Sequence, residues 1–233
     1  MELERISTGV EGLDDMLGGG FPINATIAVI GPFGTGKTIF GLQFIYNGLI
    51  KGESGIYISF DEGEEELIQT AANMGWDFRP YIKEKKFVLI KLDASDIKAS
   101  LTRMQSDLPI LIESFKPKRV VIDPITLLEM LFNDESERRA QIFNLCRTIE
   151  KNGTTIVLIS GADKANIYAS KFGLVEYVAG GAIVLHHVRS DNLQKVTLAI
   201  EIVKMRRVEH SREIKPYFIT NNGITVHAYD QIP

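Results

Sequence analysis

Short apolar runs alternate along the chain with segments in which apolar residues recur every three or four positions. The short runs have the length of buried strands, and the periodic segments have that of amphipathic helices. The predicted strands are 26–30, 55–60, 87–92, 119–123 and 154–160, and the predicted helices are 39–50, 64–74, 106–116 and 134–152. This alternation predicts an α/β fold, with a mainly parallel sheet flanked by helices.

The two ends of the chain depart from this alternation. Residues 6–20 predict a turn and a short helix that a triple glycine ends. After a short helix that ends near residue 179, the chain is rich in strands. Ranges 182–189 and 195–206 predict a long hairpin around residues 190–192, and ranges 217–220 and 224–227 a short one around Asn222-Gly223. Antiparallel strands are therefore expected at the C-terminal end.

Length and composition set the class of protein. With 233 residues, of which 45% are hydrophobic, residues 1–233 are predicted to form one globular domain. A formal net charge of −4 disfavours a protein that coats nucleic acid. The single cysteine, Cys146, excludes a disulfide framework, and the histidines lack the spacing of metal ligands. Without a signal sequence or an apolar run of membrane-spanning length, the protein is expected in the cytoplasm, with no membrane partner.

A glycine-rich segment joins the first predicted strand to the helix that follows. It has the P-loop pattern G-x-x-x-x-G-K-T in the strand–loop–helix context that the motif requires. Backbone N–H groups converge on phosphate oxygens in such a loop, and the helix N-terminus adds its dipole. Lys37 is expected to reach the β- and γ-phosphates of ATP, and the Thr38 hydroxyl to bind Mg²⁺. The predicted nucleotide-binding residues are Gly31, Pro32, Phe33, Gly34, Thr35, Gly36, Lys37 and Thr38.

Acidic residues follow two of the other predicted strands. Asp123 closes an apolar strand, as does the carboxylate that holds the Mg²⁺ shell in P-loop proteins. Asp61 and Glu62 follow the strand after the P-loop helix, at the sheet edge where ligands bind. A carboxylate there could activate the water that attacks the γ-phosphate. Asp61 could instead cap the next helix, and this alternative stays open.

Lys204 and Arg206 lie near the end of the last long predicted strand. A spacing of two places both cations on one face of a strand. They could contact a phosphate bound to a neighbouring subunit, as an arginine finger does. An equally simple interpretation is a solvated strand end, and the residues alone do not decide between the two.

Taken together, the motifs resemble one family. The segment I-S-T-G-V-E-G-L-D-D-M-L-G-G-G, the P-loop, the block S-F-D-E and the triplet K-M-R are similar, in this order, to the KaiC-like ATPases of the RecA/RadA superfamily. The resemblance implies a RecA-like core that binds ATP or ADP with Mg²⁺. It also implies a ring, often a hexamer, with nucleotide between subunits. In that family the paired acids, here Asp61 and Glu62, activate water, and Lys204 and Arg206 act on the neighbour's nucleotide.

The chain departs from the family pattern at several positions. The paired acids are usually both glutamates, and Asp61 is one methylene shorter. The residues after K-M-R are Arg207-Val208-Glu209, and Gly180 replaces a usual aspartate. Self-phosphorylating members carry Ser-Thr where this chain has Glu176-Tyr177, so self-phosphorylation is not expected.

The expected function is slow ATP hydrolysis at subunit interfaces, used to change assembly or partner affinity. Two alternatives remain at this stage. A recombinase paralogue would bind single-stranded DNA, which the acidic composition disfavours. A nucleotide-binding scaffold would hydrolyse almost nothing, and the shorter Asp61 is consistent with it.

Overall fold

The computed structural model describes residues 4–92, 96, 103–189 and 195–227. The strands are β1 (Arg5–Ile6), β2 (Phe21–Pro22), β3 (Thr26–Gly31), β4 (Gly55–Ser59), β5 (Phe87–Lys91), β6 (Arg119–Asp123), β7 (Thr155–Gly161), β8 (Gly181–Arg189), β9 (Val196–Met205), β10 (Lys215–Thr220) and β11 (Gly223–Val226). The helices are α1 (Leu13–Met16), α2 (Lys37–Leu49), α3 (Glu64–Asn73), α4 (Arg79–Lys83), α5 (Leu108–Phe115), α6 (Ile125–Glu129), α7 (Glu135–Glu150) and α8 (Val175–Val178), with a π-helix (Arg103–Asp107) before α5. Among the helices described, none is both long enough and apolar enough to cross a membrane.

Most strands belong to one mixed sheet. Within the described ranges its order is β11-β10-β9-β8-β3-β7-β6-β4-β5. Neighbours from β8 to β5 are parallel, whereas β8, β9, β10 and β11 pair in antiparallel succession. The predicted class is confirmed: a mainly parallel sheet with antiparallel strands at the C-terminal end. The turn predicted at 190–192 lies outside the described residues.

Strand β3 shows why both faces of the sheet carry helices. Its side chains alternate between the two faces, and every residue of the strand is buried. Ile27 and Val29 pack into the core that contains α1 and α2, while Ala28 and Ile30 pack into the core that contains α5, α6 and α7. A strand buried on both faces is apolar throughout, which is the pattern that predicted it.

The parallel strands end together at one edge of the sheet. Gly31 pairs with Gly161, and Ser59 pairs with Asp123. We call this end the carboxyl edge, and the opposite end, where β3, β7 and β8 begin, the amino edge. The loops that leave the carboxyl edge carry the P-loop and the predicted acids, so the topology gathers them in one place.

Four short features were not predicted: helices α4 and α6, the π-helix before α5 and the β1–β2 pair. Helices α4 and α6 have five residues each. Such a length is too short to show a helical period, so these elements depend on packing rather than on a pattern. Helix α7, by contrast, was predicted; it begins after Asp134, whose carboxylate caps it by accepting from the Glu137 N–H at 2.8 Å.

Candidate functional site

The P-loop connects β3 to α2 through residues 32–36. Gly34 and Gly36 both have a φ of 78°, in the left-handed region that glycine adopts without strain. A Cβ at Gly36 would lie 2.6 Å from the Ile219 side chain. The second glycine of the motif is therefore required both by its backbone conformation and by its close contact with β10.

Contacts within the chain fix the shape of this loop. The Thr35 hydroxyl and the Lys37 ammonium both donate to the Pro32 carbonyl, at 2.8 and 2.7 Å. The buried Tyr217 hydroxyl on β10 donates to the Thr35 carbonyl at 2.6 Å. Phe33 at the tip of the loop is 92% exposed. Burial lowers the pKa of Lys37, and the charge of Asp123 opposes that shift.

Asp123 lies at the end of β6, beside the first turn of α2. Its Oδ2 accepts from the Thr38 hydroxyl at 2.8 Å and from the Tyr57 hydroxyl at 2.5 Å. Burial raises the pKa of the Asp123 carboxyl, while the hydrogen bonds from Tyr57 and Thr38 lower it. The structure thus brings together the two residues that the sequence assigned to the metal.

The chemistry of this pair suits Mg²⁺. A hydroxyl and a carboxylate are hard oxygen donors, and Mg²⁺ in nucleotide sites is bound by one or two such groups together with phosphate oxygens. Among the described residues, no group of three or more His, Cys, Asp or Glu side chains could hold a metal ion by itself. Thr38 and Asp123 therefore fit a metal that arrives with a nucleotide.

The paired acids that follow β4 are not equivalent. Asp61 is exposed, whereas Glu62 is half-buried. The Ser59 hydroxyl donates to the Glu62 carbonyl at 2.6 Å, which fixes the backbone at that residue. Burial raises the pKa of Glu62, and the charges of Asp123 and Asp61 add to the shift. Glu62 is thus the acid whose environment suits a general base.

Asp61 does not cap helix α3, so the alternative role considered for it is wrong. The residue before α3 is Gly63, and its N–H donates to the Glu66 carboxylate at 2.8 Å. The Lys91 ammonium instead donates to the Asp61 carbonyl oxygen. Asp61 therefore borders the site without capping α3.

A single cleft at the carboxyl edge collects these groups. Its volume is about 600 Å³, and its lining includes Pro32, Phe33, Lys37, Thr38, Asp61, Glu62 and Asp123. The lining also includes Leu127, Met130, Ile167 and Lys171. A smaller cavity of about 160 Å³ between α5 and α7 contains none of the motif residues, so the larger cleft is the candidate site.

Lys204 and Arg206 lie at the amino edge, far from the cleft of their own chain. Met205 pairs with Gly181 at the start of β8, and the six residues of β3 separate that end from the P-loop by about 17 Å. Strand β9 ends at Met205, so Arg206 lies one residue beyond the strand predicted to carry it. Neither cation can act on the nucleotide of the same chain.

The two cations also differ in how they are held. The Lys204 ammonium donates to the carbonyls of Glu176 and Ala179, at 2.8 and 2.7 Å. Burial lowers the pKa of Lys204, and the neighbouring charge of Arg206 adds to the shift. Arg206 is exposed, and with Arg147 it lines a cavity of about 310 Å³ at this edge. Of the pair, only Arg206 is exposed.

Several residues of the site have no sequence signal. Tyr57, Ser59 and Tyr217 contact Asp123, Glu62 and the P-loop, yet each lies in an ordinary strand pattern. Arg147, which lines the amino-edge cavity with Arg206, lies in the last turn of α7, where a basic residue is expected from the helix dipole alone. Only the fold places these four residues beside the groups that the motifs predicted.

Comparison with known proteins identifies the family. A family model described as "ATPase: KaiC" matches residues 6–231. The chain belongs to the KaiC ATPase family. It is 33% identical over 238 residues to the circadian clock oscillator protein KaiC of Parathermosynechococcus lividus, and 30% identical over 237 residues to that of Synechococcus elongatus. The alignments cover 96% of this chain but 42% and 44% of those relatives, so the chain spans less than half their length.

A solved structure of similar size supports the same assignment. A KaiC-like protein from the hyperthermophilic archaeon Pyrococcus horikoshii superposes with a TM-score of 0.84 at 30% identity. The match covers 97% of this chain and 100% of that one. The family resemblance and the RecA-like class of the fold, both inferred from sequence, are confirmed.

Proposed function

We propose that this KaiC-family protein binds ATP with Mg²⁺ in the cleft at the carboxyl edge and hydrolyses it to ADP and phosphate. The observation that carries the proposal is the position of Glu62. Its half-buried carboxylate lines the same cleft as Lys37 and the hydrogen-bonded pair Thr38–Asp123. A phosphate-binding loop, a metal-binding pair and a general base are the parts that hydrolysis of a phosphoanhydride requires.

Each group has a distinct task in the proposed reaction. The P-loop N–H groups and Lys37 bind the phosphates and stabilise their developing charge. Glu62 accepts a proton from a water molecule whose oxygen attacks the γ-phosphorus. The bond from the γ-phosphorus to the β–γ bridging oxygen breaks, and its electron pair leaves with ADP. When bound, Mg²⁺ neutralises phosphate charge, and Thr38 and Asp123 are the residues that would hold it.

Phosphate release by the purified protein tests this proposal. We expect slow, Mg²⁺-dependent release of phosphate from ATP, and loss of both ATP binding and release in Lys37→Ala. Turnover that is unchanged in Lys37→Ala would show that the activity arises elsewhere. Normal ATP affinity without release at any protein concentration would instead support the nucleotide-binding scaffold.

We further propose that the active form is a ring, with Arg206 of one subunit directed at the nucleotide of the next. The separation of Arg206 from its own cleft supports this arrangement, as does its exposure. The hydrolysis is expected to be slow because the Lys204 ammonium is already bound to two carbonyls of its own chain. In this proposal, ATP turnover switches the assembly or its affinity for a partner, without self-phosphorylation at Glu176-Tyr177.

Mass measurement of the assembly, first with ADP and then with a non-hydrolysable ATP analogue, tests the ring. We expect a closed oligomer, a hexamer in the simplest case, whose population depends on the nucleotide. A strict monomer in both conditions would leave Arg206 without a target and would remove this part of the proposal.

A further inference from the structure

The hydroxyl of Tyr57 reaches the metal-binding carboxylate from inside the core. Tyr57 lies on β4, which pairs with β6, and its side chain is fully buried. A buried phenol is stable when its hydroxyl has a hydrogen-bond partner. Here that partner is Asp123 Oδ2, at 2.5 Å. The Tyr57 ring packs in the core, while its hydroxyl contacts Asp123 of the candidate site.

Helix α2 leaves room for this ring at Gly41, one turn beyond Thr38. A Cβ at Gly41 would lie 2.9 Å from a methyl of Val121, 3.2 Å from a ring carbon of Tyr57 and 3.3 Å from its hydroxyl. Glycine in the middle of a helix is unfavourable without such a reason. The glycine at position 41 lets α2 pack closely on β4 and β6, with the phenol of Tyr57 against the helix.

The two donors to Asp123 share one oxygen. Thr38 and Tyr57 both donate to Oδ2, and no residue of the described ranges donates to Oδ1. Hydrogen bonds from two different elements restrict the rotation of a ligating carboxylate. Thr38 is itself a predicted metal ligand, so Tyr57 is the donor whose position does not depend on the ligand.

We propose that Tyr57 is a positioning residue, which holds the Asp123 carboxylate in the orientation that binds the metal of the metal–nucleotide complex. The inference rests on the proposed function, because it assigns a role within that site. Partners that orient metal ligands typically contribute 10–100-fold to metal affinity. Tyr57 is buried and does not line the cleft, so its proposed effect on nucleotide binding passes through Asp123.

The test measures binding of Mn²⁺, a spectroscopic substitute for Mg²⁺, to the complex of the protein with ADP. In Tyr57→Phe we expect the affinity for Mn²⁺ to fall about 10–100-fold. The affinity for ADP in the presence of EDTA is expected to stay within about twofold of wild type, because no hydrogen bond joins the Tyr57 hydroxyl to loop residues 32–36 within the described ranges. Gly41→Ala, which displaces the ring while keeping its hydroxyl, is expected to weaken Mn²⁺ binding in the same direction.

Tyr46→Phe is the matched control, because it removes a hydroxyl from an aromatic cluster of α2 with Trp76, Phe78 and Tyr81. It should bind Mn²⁺ like wild type. Wild-type Mn²⁺ affinity in Tyr57→Phe overturns the inference. Equal losses of Mn²⁺ affinity and metal-free ADP affinity also overturn it, because they indicate a general structural role.

The readouts separate this inference from the proposed function. ADP is not hydrolysed, so the metal measurement does not depend on turnover. A wild-type protein that binds Mn²⁺–ADP through Tyr57 but releases no phosphate from ATP contradicts hydrolysis alone. If the wild-type complex binds Mn²⁺ no more tightly than free ADP does, that result contradicts both the inference about Tyr57 and the proposed function.

Discussion

The two edges of the sheet differ in how their functional groups are held. At the carboxyl edge, contacts inside one chain fix the groups: Thr38 and Tyr57 hold Asp123, and Tyr217 holds the P-loop. At the amino edge, Arg206 is exposed, and no hydrogen bond or ion pair from its guanidinium is seen within the described part of the chain. The groups proposed to bind phosphate are thus preorganised by folding, whereas the proposed contribution of Arg206 would depend on another subunit.

The largest expected effect tests whether the carboxyl edge supplies the base. Glu62→Gln keeps the shape of the side chain but cannot accept a proton, so we expect phosphate release to fall by about 10²–10⁴-fold. ATP affinity should change little, because the P-loop is intact. Phosphate release and ATP titration measure the two quantities.

Asp61→Asn is the matched comparison for Glu62→Gln, because it neutralises the exposed acid of the pair. A much smaller loss of phosphate release is expected from it. A larger loss in Asp61→Asn than in Glu62→Gln would reverse the assignment of the base.

The next effect tests the amino edge. Arg206→Ala should lower phosphate release by about 100-fold, the typical effect of removing one group that stabilises transition-state charge. Arg212, another exposed arginine, provides the control, and Arg212→Ala should behave as wild type.

Mixing variants shows whether Arg206 acts between subunits. Mixed rings of Glu62→Gln and Arg206→Ala subunits contain sites in which both groups are native. Random assembly of equal amounts should restore about a quarter of the wild-type rate, since one interface in four then joins a native Glu62 to a native Arg206. Mixtures that stay as inactive as their components would place Arg206 outside the neighbour's site.

Glu129 is an exception to the well-satisfied carboxyl edge. It is fully buried next to Met130 of the cleft wall, and neither of its carboxylate oxygens has a hydrogen-bond partner in the described ranges. The nearby Arg138 donates to the backbone carbonyls of Glu129 and Phe132 instead. Burial raises the pKa of Glu129 to about 7, with Arg138 and Lys171 opposing the shift and Glu176 adding to it.

A raised pKa means that the folded state keeps a proton that the unfolded chain releases. The contribution of the Glu129 proton to the free energy of unfolding is therefore fully present below about pH 4.5 and is lost as the pH rises through about 7. Glu129→Gln is neutral at every pH, so it should gain up to roughly 3 kcal/mol over wild type at about pH 8, and little near pH 4. Urea unfolding at both pH values measures the gain. An equal difference at the two pH values would show that Glu129 is not the titrating group.

The positions of the chemistry could be predicted where a function requires a local pattern. The segment Gly31 to Thr38 must combine a strand end, a loop of small residues and a helix start. The motif is therefore contiguous and can be recognised from sequence. The Asp123 prediction was of the same kind, since an apolar strand that ends in an acid is a local feature. Strand alternation also predicted the sheet, except for elements too short to show a period.

Lys204 and Arg206 mark the limit of that reasoning. Their spacing suggested two equivalent cations, but the strand ends between them, and Lys204 is bound by carbonyls around α8. Whether a cation is free or engaged depends on residues that are distant in the chain. No sequence spacing carries that information.

The sequence by itself determined the family, the class of fold and the phosphate-binding loop, because these depend on contiguous residues and on periodic burial. Only the tertiary structure decided which groups meet. It placed the Tyr57 hydroxyl on Asp123 across 66 positions of sequence, and the Tyr217 hydroxyl on the P-loop across 182. It also placed Arg206 at the opposite edge from the nucleotide site. Such contacts arise from the order of strands in the sheet, and that order is set by packing of the whole chain.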